Sequence, residues 1–144
     1  MPELKWPFHV ERPGEPPRPM LLVRVGNPAT GLFVDAWGVV DTGADDCALP
    51  AAYARLLGHR LKAGGRRLIS TGNGDTWAYA HTTRIDLFCP PPGSDLLGPP
   101  YTIADAPIDF MPNLGCVLLG TKSFLSRFIL TINYPRQYLT LRTL

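Results

Sequence analysis

One carboxylate stands at the end of an apolar run in this 144-residue chain. The stretch GVVDTGADD, residues 38–46, places Asp41 directly after two valines and before Thr42 and Gly43. A carboxylate at the end of a buried strand is costly unless it has a partner. This position suits an active-site acid that exchanges protons with a substrate or a water. Asp41 is therefore the candidate catalytic residue, and Thr42 and Gly43 complete its motif.

A second glycine-containing motif lies about seventy residues after Asp41. Residues 117–120 read VLLG, and the tripeptide ALP at 48–50 follows the first motif. This order resembles that of the retropepsin-like aspartic proteases, the retroviral type and its bacterial relatives. The resemblance runs from about Met20 to the C-terminus. The alternative for Asp41 is a turn or capping residue in an unrelated β-protein.

The resemblance implies hydrolysis of peptide bonds by two carboxylates around one water. Two close carboxylates share one proton because like charges at short range do not both ionise. The ionised one takes a proton from the attacking water, and the protonated one polarises the scissile carbonyl. The chain contains a single triplet of the form Asp-Thr-Gly or Asp-Ser-Gly. The prediction is a homodimer in which each subunit contributes Asp41 at a two-fold axis, with activity on the acidic side of neutral pH.

The same resemblance assigns roles to residues near the predicted catalytic acid. The Thr42 hydroxyl is expected to bond to backbone near Val40 of the other subunit, and Gly43 to allow close approach of the substrate. Leu118 is expected to pack beneath the active-site loop first and to touch substrate side chains second. The substrate is expected to be an extended peptide or protein segment that binds as an added strand.

Part of the predicted substrate site follows directly on the catalytic motif. By resemblance, Ala44, Asp45 and Asp46 line the cleft and bind the substrate. A pair of acids at this position fits helix or turn capping almost equally well.

A flap is the other predicted part of the substrate site. Its glycine-rich tip, Gly72, Asn73 and Gly74, is expected to open for substrate and then to close and exclude water. An ordinary hairpin turn is the alternative. Trp77 and Tyr79 follow on the second strand of this hairpin, where they either wall a substrate pocket or pack across the strands.

The chain departs from the viral pattern just after the VLLG motif. Retroviral enzymes carry an arginine there that supports the dimer, whereas this chain has Thr121 and Lys122. Arg24 and Arg66 are candidates to replace that arginine, and the sequence does not choose between them.

Short strands and turns are expected elsewhere, because proline (16) and glycine (14) are abundant. The apolar pattern predicts strands at 20–25, 31–40, 68–70, 76–80, 82–88, 101–107, 116–119, 128–132 and 137–141. Brief helices are expected at 51–58 and 122–128, the second capped by Thr121. The predicted fold class is all-β: a single-lobe, retropepsin-like closed barrel with a flap hairpin and one or two short helices.

Composition sets the remaining expectations. Residues 1–19 are proline-rich and are predicted to form an extended arm, with the protease-like domain at 20–144 and a surface loop at 89–100. The net charge of +2 is too small to indicate nucleic-acid binding. The three cysteines and three histidines lack metal-ligand spacing, so no metal or cofactor is expected. No long apolar segment is present, which predicts a cytoplasmic protein without a membrane partner.

Three functional hypotheses remain at this point. The first is a homodimeric aspartic endopeptidase. The second is a non-catalytic peptide-binding module of the same fold, and the third is a structural dimerisation domain. The intact Asp-Thr-Gly triplet favours the first, since a module that only binds peptides does not need Asp41.

Overall fold

Strands dominate this computed structural model, which describes residues 2–72, 74–91 and 99–144. In the described residues the strands are β1 (Leu4–Pro7), β2 (Met20–Gly26), β3 (Phe33–Val40), β4 (Ala48–Pro50), β5 (Gly65–Thr71), β6 (Gly74–Leu87), β7 (Tyr101–Met111), β8 (Val117–Leu119), β9 (Ile129–Asn133) and β10 (Tyr138–Arg142). One short α-helix, α1 (Ala52–Leu56), and 3-10 turns at Leu61–Ala63 and Leu125–Arg127 complete the described elements.

Six strands close into a barrel. Each is hydrogen-bonded to the next in the order β2-β3-β8-β4-β7-β6, and β6 returns to pair with β2. Strand β5 pairs with β6 outside this ring and extends it as a hairpin. The predicted all-β class with a closed barrel is confirmed.

The barrel interior follows from alternation along the strands. In β2, Leu21, Val23 and Val25 are buried, whereas Leu22 and Arg24 are half-buried on the other face. The three buried side chains of β2 pack with fully buried side chains from the other barrel strands. Each such aliphatic or aromatic side chain contributes about 1.5–3 kcal/mol on burial.

Strand β6 belongs to both the barrel and the flap hairpin. Its first residues pair with β5, and its later residues pair with β7 and β2. The register with β7 shifts between Thr83 and Ile85. A bulge of this kind bends a strand and increases its twist. The buried Thr83 hydroxyl donates to the carbonyl of Ala106, 2.9 Å away, and so supports the shift.

The N-terminal segment is partly built into the structure. Strand β1 pairs antiparallel with β10, which also pairs with β9, in a separate three-stranded sheet. Trp6 is only 2% exposed and belongs to the main core cluster. Further along, His9 and Arg18 form an isolated bridge. The prolines of residues 1–19 predicted an extended arm but carried no sign that Trp6 enters the core.

The predicted helices differ in outcome. The first is present as α1, shorter than the predicted 51–58. The second, predicted at 122–128, is wrong as a regular helix, because only Leu125–Arg127 forms a 3-10 turn. Thr121 is not a helix cap, since its hydroxyl lies 3.2 Å from the carbonyl oxygen of Ala44.

Most of the predicted loop at 89–100, residues 92–98, lies outside the described residues. Among the described helices, none is long and apolar enough to cross a membrane.

Candidate active site

Asp41 lies at the point where two parallel strands end side by side. Strands β3 and β8 pair through Val39 with Leu118 and Val40 with Leu119. The ladder continues one step further, because the Asp41 amide donates to the Leu119 carbonyl at 3.1 Å. The buried strand end therefore fixes the backbone of the acid, and Asp41 itself is half-buried.

A tight turn holds the carboxylate. The Gly43 amide donates to Asp41 Oδ1 at 3.0 Å, and the Ala44 amide donates to the Asp41 carbonyl at 3.2 Å. A Cβ at Gly43 would lie 3.4 Å from the same Oδ1 and, apart from its chain neighbours, would meet no other residue within 4 Å. Thr42 and Gly43 are exposed. Within the part of the chain that the structure describes, the Thr42 hydroxyl has no hydrogen-bond partner.

The active-site loop, defined here as residues 41–46, rests on the segment after β8. The Thr121 amide donates to the Ala44 carbonyl at 2.9 Å, and the Lys122 amide donates to the Asp45 carbonyl at 2.7 Å. Gly120 permits this approach, since a Cβ there would lie 2.4 Å from the Asp46 carbonyl oxygen. The two residues that replace the viral arginine thus support the loop through their backbone.

A cleft of about 370 Å³ opens beside the active-site loop. Three parts of the chain line it: the loop, the barrel strands behind the loop, and the flap. The lining residues are Gly43, Ala44, Asp45, Asp46, Ala48, Arg67, Leu68, Ile69, Ser70, Thr71, Asp109, Met111 and Leu118. The predicted contacts Ala44, Asp45, Asp46 and Leu118 therefore lie together along this cleft.

The flap contributes its first strand to the cleft. The predicted tip residues Gly72 and Gly74 are exposed and are not among the cleft-lining residues, and Asn73 lies outside the described residues. Trp77 is 42% exposed beneath the Arg66 guanidinium, and Tyr79 is buried. Neither aromatic side chain lines the cleft, so cross-strand packing is the better account of this pair.

Arg67 lines the cleft although the sequence did not predict it as a site residue. Its Nη2 contacts Asp46 Oδ2 at the end of the active-site loop and Asp109 Oδ2 on β7. The hydrogen bond to Asp109, followed by the one to Asp46, raises the pKa of the guanidinium. The overlooked signal was Asp109 itself, a lone acid in the apolar stretch IDFM at 108–111. A buried acid requires a partner.

The two arginines proposed from sequence have other roles within the chain. Arg24 forms a bidentate pair with Asp35, with nitrogen–oxygen distances of 2.7 and 3.0 Å. Arg66 stacks over Trp77, with its guanidinium carbon 4.1 Å from the ring centroid. Neither residue lines the active-site cleft.

The cysteine nearest the loop is buried behind it. Cys47 Sγ accepts a hydrogen bond from the Gly120 amide at 3.4 Å. Burial raises the pKa of this thiol to about 11, so Cys47 is protonated at neutral pH and is a poor nucleophile. Across the described ranges, no group of three or more His, Cys, Asp and Glu side chains is placed to hold a metal ion.

Comparison with known proteins supports the fold at the level of structure. No family model matches the chain, and no curated protein matches its sequence. A retropepsin-like aspartic protease from Rickettsia conorii, known from a crystal structure, has a TM-score of 0.65 and 23% identity over 98% of this chain and 99% of that chain. The EIAV protease in complex with the inhibitor HBY-793 has a TM-score of 0.49 and 19% identity over 77% of this chain and 88% of that one. The closed barrel, its flap hairpin and the first of these likenesses agree: the chain has a retropepsin-like fold.

Proposed function

We propose that the protein is an aspartic endopeptidase in which two copies of Asp41, one from each subunit of a homodimer, activate a water. One observation carries the proposal. A half-buried Asp41 carboxylate accepts a hydrogen bond from the amide of Gly43, and Gly43 lines an open cleft on a retropepsin-like barrel. A purely structural domain has no need of an acid in that position.

The need for a second subunit follows from the carboxylates of one chain. A carboxylate pair that shares a proton requires a second acid beside Asp41. Asp46 is occupied by Arg67, and Asp45 is exposed on the cleft wall. Neither is followed by Thr-Gly or Ser-Gly. A two-fold axis close to Asp41 supplies the missing acid from a second copy of the same motif, so that one motif per chain is enough.

In the proposed dimer, each carboxylate has a defined task. The ionised Asp41 accepts a proton from the water as its oxygen attacks the scissile carbonyl, and the protonated Asp41 of the second subunit donates to the carbonyl oxygen. The Thr42 hydroxyl is exposed and has no partner among the described residues, and in the proposed dimer it would bond across the axis. Such a bond would hold the two carboxyl groups in one plane.

The proposed substrate is an extended peptide. Strand β5 pairs with β6 on one side, and in the described residues its other side carries no strand. Residues 67–71 of β5 line the cleft opposite the active-site loop. A peptide lying between them would add a strand, with backbone hydrogen bonds for affinity and alternate side chains in pockets for specificity.

Cleavage of a broad peptide library tests the proposal. Wild type and Asp41→Asn are compared at pH 4–7 and over a range of protein concentrations, with Asp105→Asn as a matched control. Asp105 is an exposed acid on β7 that does not line the cleft. We expect cleavage by wild type and by the control, absent from Asp41→Asn, with a rate that rises more steeply than linearly with concentration.

The alternative is a non-catalytic peptide-binding or dimerisation module of the same fold. It predicts no cleavage at any pH or concentration by a folded wild-type protein. Peptide binding would then be unaffected by Asp41→Asn, because a binding module makes no use of the acid. Cleavage that survives Asp41→Asn would contradict both accounts.

A further inference from the structure

The active-site cleft contains a charged group of residues that the proposed reaction does not use. We call Asp46, Asp109 and Arg67 the acidic subsite. Asp109 is 5% exposed and comes from β7, Asp46 ends the active-site loop, and Arg67 reaches over from the flap strand β5. All three line the cleft.

The acidic subsite is not neutral. Both carboxylates contact the same guanidinium nitrogen of Arg67, each through Oδ2. Two acids and one arginine leave a net charge of −1. Within the described residues, the Oδ1 atoms of Asp46 and Asp109 accept no hydrogen bond. A nearly buried carboxylate with one oxygen unpaired is stabilised by a second donor, and most strongly by a charged one.

The approach to the acidic subsite is apolar. Ala48, Met111 and Leu118 lie on the barrel side of the cleft, and Ile69 lies on the flap side. The first three and Ile69 belong to one hydrophobic cluster. A long side chain that lies along this wall buries its methylene groups and brings its end to the carboxylates. Lysine and arginine combine an aliphatic stem with a cationic end in this way.

We propose that the acidic subsite selects a lysine or arginine side chain of the substrate, with the cation bound by the free oxygens of Asp46 and Asp109. The proposal rests on the proposed endopeptidase function for its cleavage readout. Its chemistry concerns binding alone. A glutamate at the same substrate position is rejected, because it meets a net negative charge.

Positional libraries test this selection. At each substrate position in turn, peptides carry lysine, the uncharged aliphatic norleucine, or glutamate. For wild type we expect one position at which lysine exceeds norleucine by roughly tenfold or more in kcat/KM, the size of a charge-assisted hydrogen bond. Asp109→Asn and Asp46→Asn each bring this ratio towards one, and Asp105→Asn leaves it unchanged. Arg67→Met changes the net charge from −1 to −2 and raises the ratio.

A binding measurement separates this inference from the proposed function. Asp41→Asn protein is titrated with the same lysine and norleucine peptides in a calorimeter, alone and combined with Asp109→Asn, after thermal melts show that each variant is folded. Preferential binding of lysine peptides without any cleavage by wild type would overturn the endopeptidase and support the subsite. Cleavage without a lysine preference, or a preference that survives both Asp109→Asn and Asp46→Asn, would overturn the subsite and leave the endopeptidase standing.

Discussion

The active-site loop and the flap hairpin line the same cleft but are held in different ways. The loop is fixed by backbone hydrogen bonds from Gly43, Thr121 and Lys122 and lies over buried strands. The flap strand β5 is exposed along most of its length and reaches the loop through the side chain of Arg67. Reactive groups need fixed geometry, whereas a substrate cover must be able to move. In the proposed enzyme, this difference matches a loop that carries the chemistry and a hairpin that controls access to it.

Substitution of glycine is expected to show the largest contrast between the two regions. A Cβ at Gly120 would lie 2.4 Å from the Asp46 carbonyl oxygen, whereas a Cβ at Gly72 meets nothing within 4 Å. Gly120→Ala is expected to lower the free energy of unfolding by about 3 kcal/mol, because backbone cannot swing aside as a side chain can. Gly72→Ala should change it by less than about 0.5 kcal/mol. Urea denaturation of both variants measures this, and equal losses would show that the loop is no more constrained than the flap.

Removal of the Arg67 side-chain link between flap and loop is expected to have an intermediate effect. Arg67→Met leaves the nearly buried Asp109 without its cation and should cost about 1–2 kcal/mol, discounted because Arg67 is half exposed to solvent. Arg66→Met is the matched control on the same strand, where loss of the contact with Trp77 should cost about 0.5 kcal/mol. Thermal melts at low and high salt compare the two. A larger loss of stability in Arg66→Met than in Arg67→Met would show that Arg67 does not hold the flap to the loop.

Acid is expected to weaken the barrel at a pair of histidines that does not line the cleft. His59 packs against His81 with ring centroids 4.4 Å apart, and burial, then the charge of His81, lowers the pKa of His59. The unfolded chain therefore binds a proton at higher pH than the folded one, so stability is lost as pH falls through about 6.5. We expect His59→Gln to flatten the dependence of unfolding free energy on pH between 7.5 and 5.5. An unchanged slope would assign acid sensitivity to other groups.

The smallest expected effect is on the chemical labelling of Cys47, the cysteine buried behind the active-site loop. Burial raises the pKa of both thiols, that of Cys47 to about 11, but Cys47 is buried whereas Cys116 is only half-buried. In the native protein at pH 8, iodoacetamide should label Cys116 first and Cys47 only at the rate of global unfolding, followed by peptide mass spectrometry. Rapid labelling of Cys47 would mean that the active-site loop opens locally, against the rigid support inferred from its hydrogen bonds.

Some features of the site were predictable because they depend on local pattern. The apolar run before Asp41 and the VLLG motif each predicted a strand, and the structure shows that these two strands end side by side. The hairpin over 68–80 was also expected. The pairing of Arg67 with Asp109 was not predicted, because 42 residues separate the partners. The role of Thr121 was missed for a similar reason, since its contacts lie across the chain at Ala44 and Asp45.

The sequence by itself determined the all-β class and, for the proposed reaction, pointed to the candidate acid Asp41 and to a second copy of it, because these depend on residue type, alternation and the number of motifs. Only the tertiary structure decided which strand of the flap hairpin lines the cleft, that Trp6 enters the core, and that Arg67 joins two acids. These outcomes depend on strand register and barrel closure. A shift of one residue in register turns every side chain to the opposite face, and no local pattern specifies which distant strand becomes the neighbour.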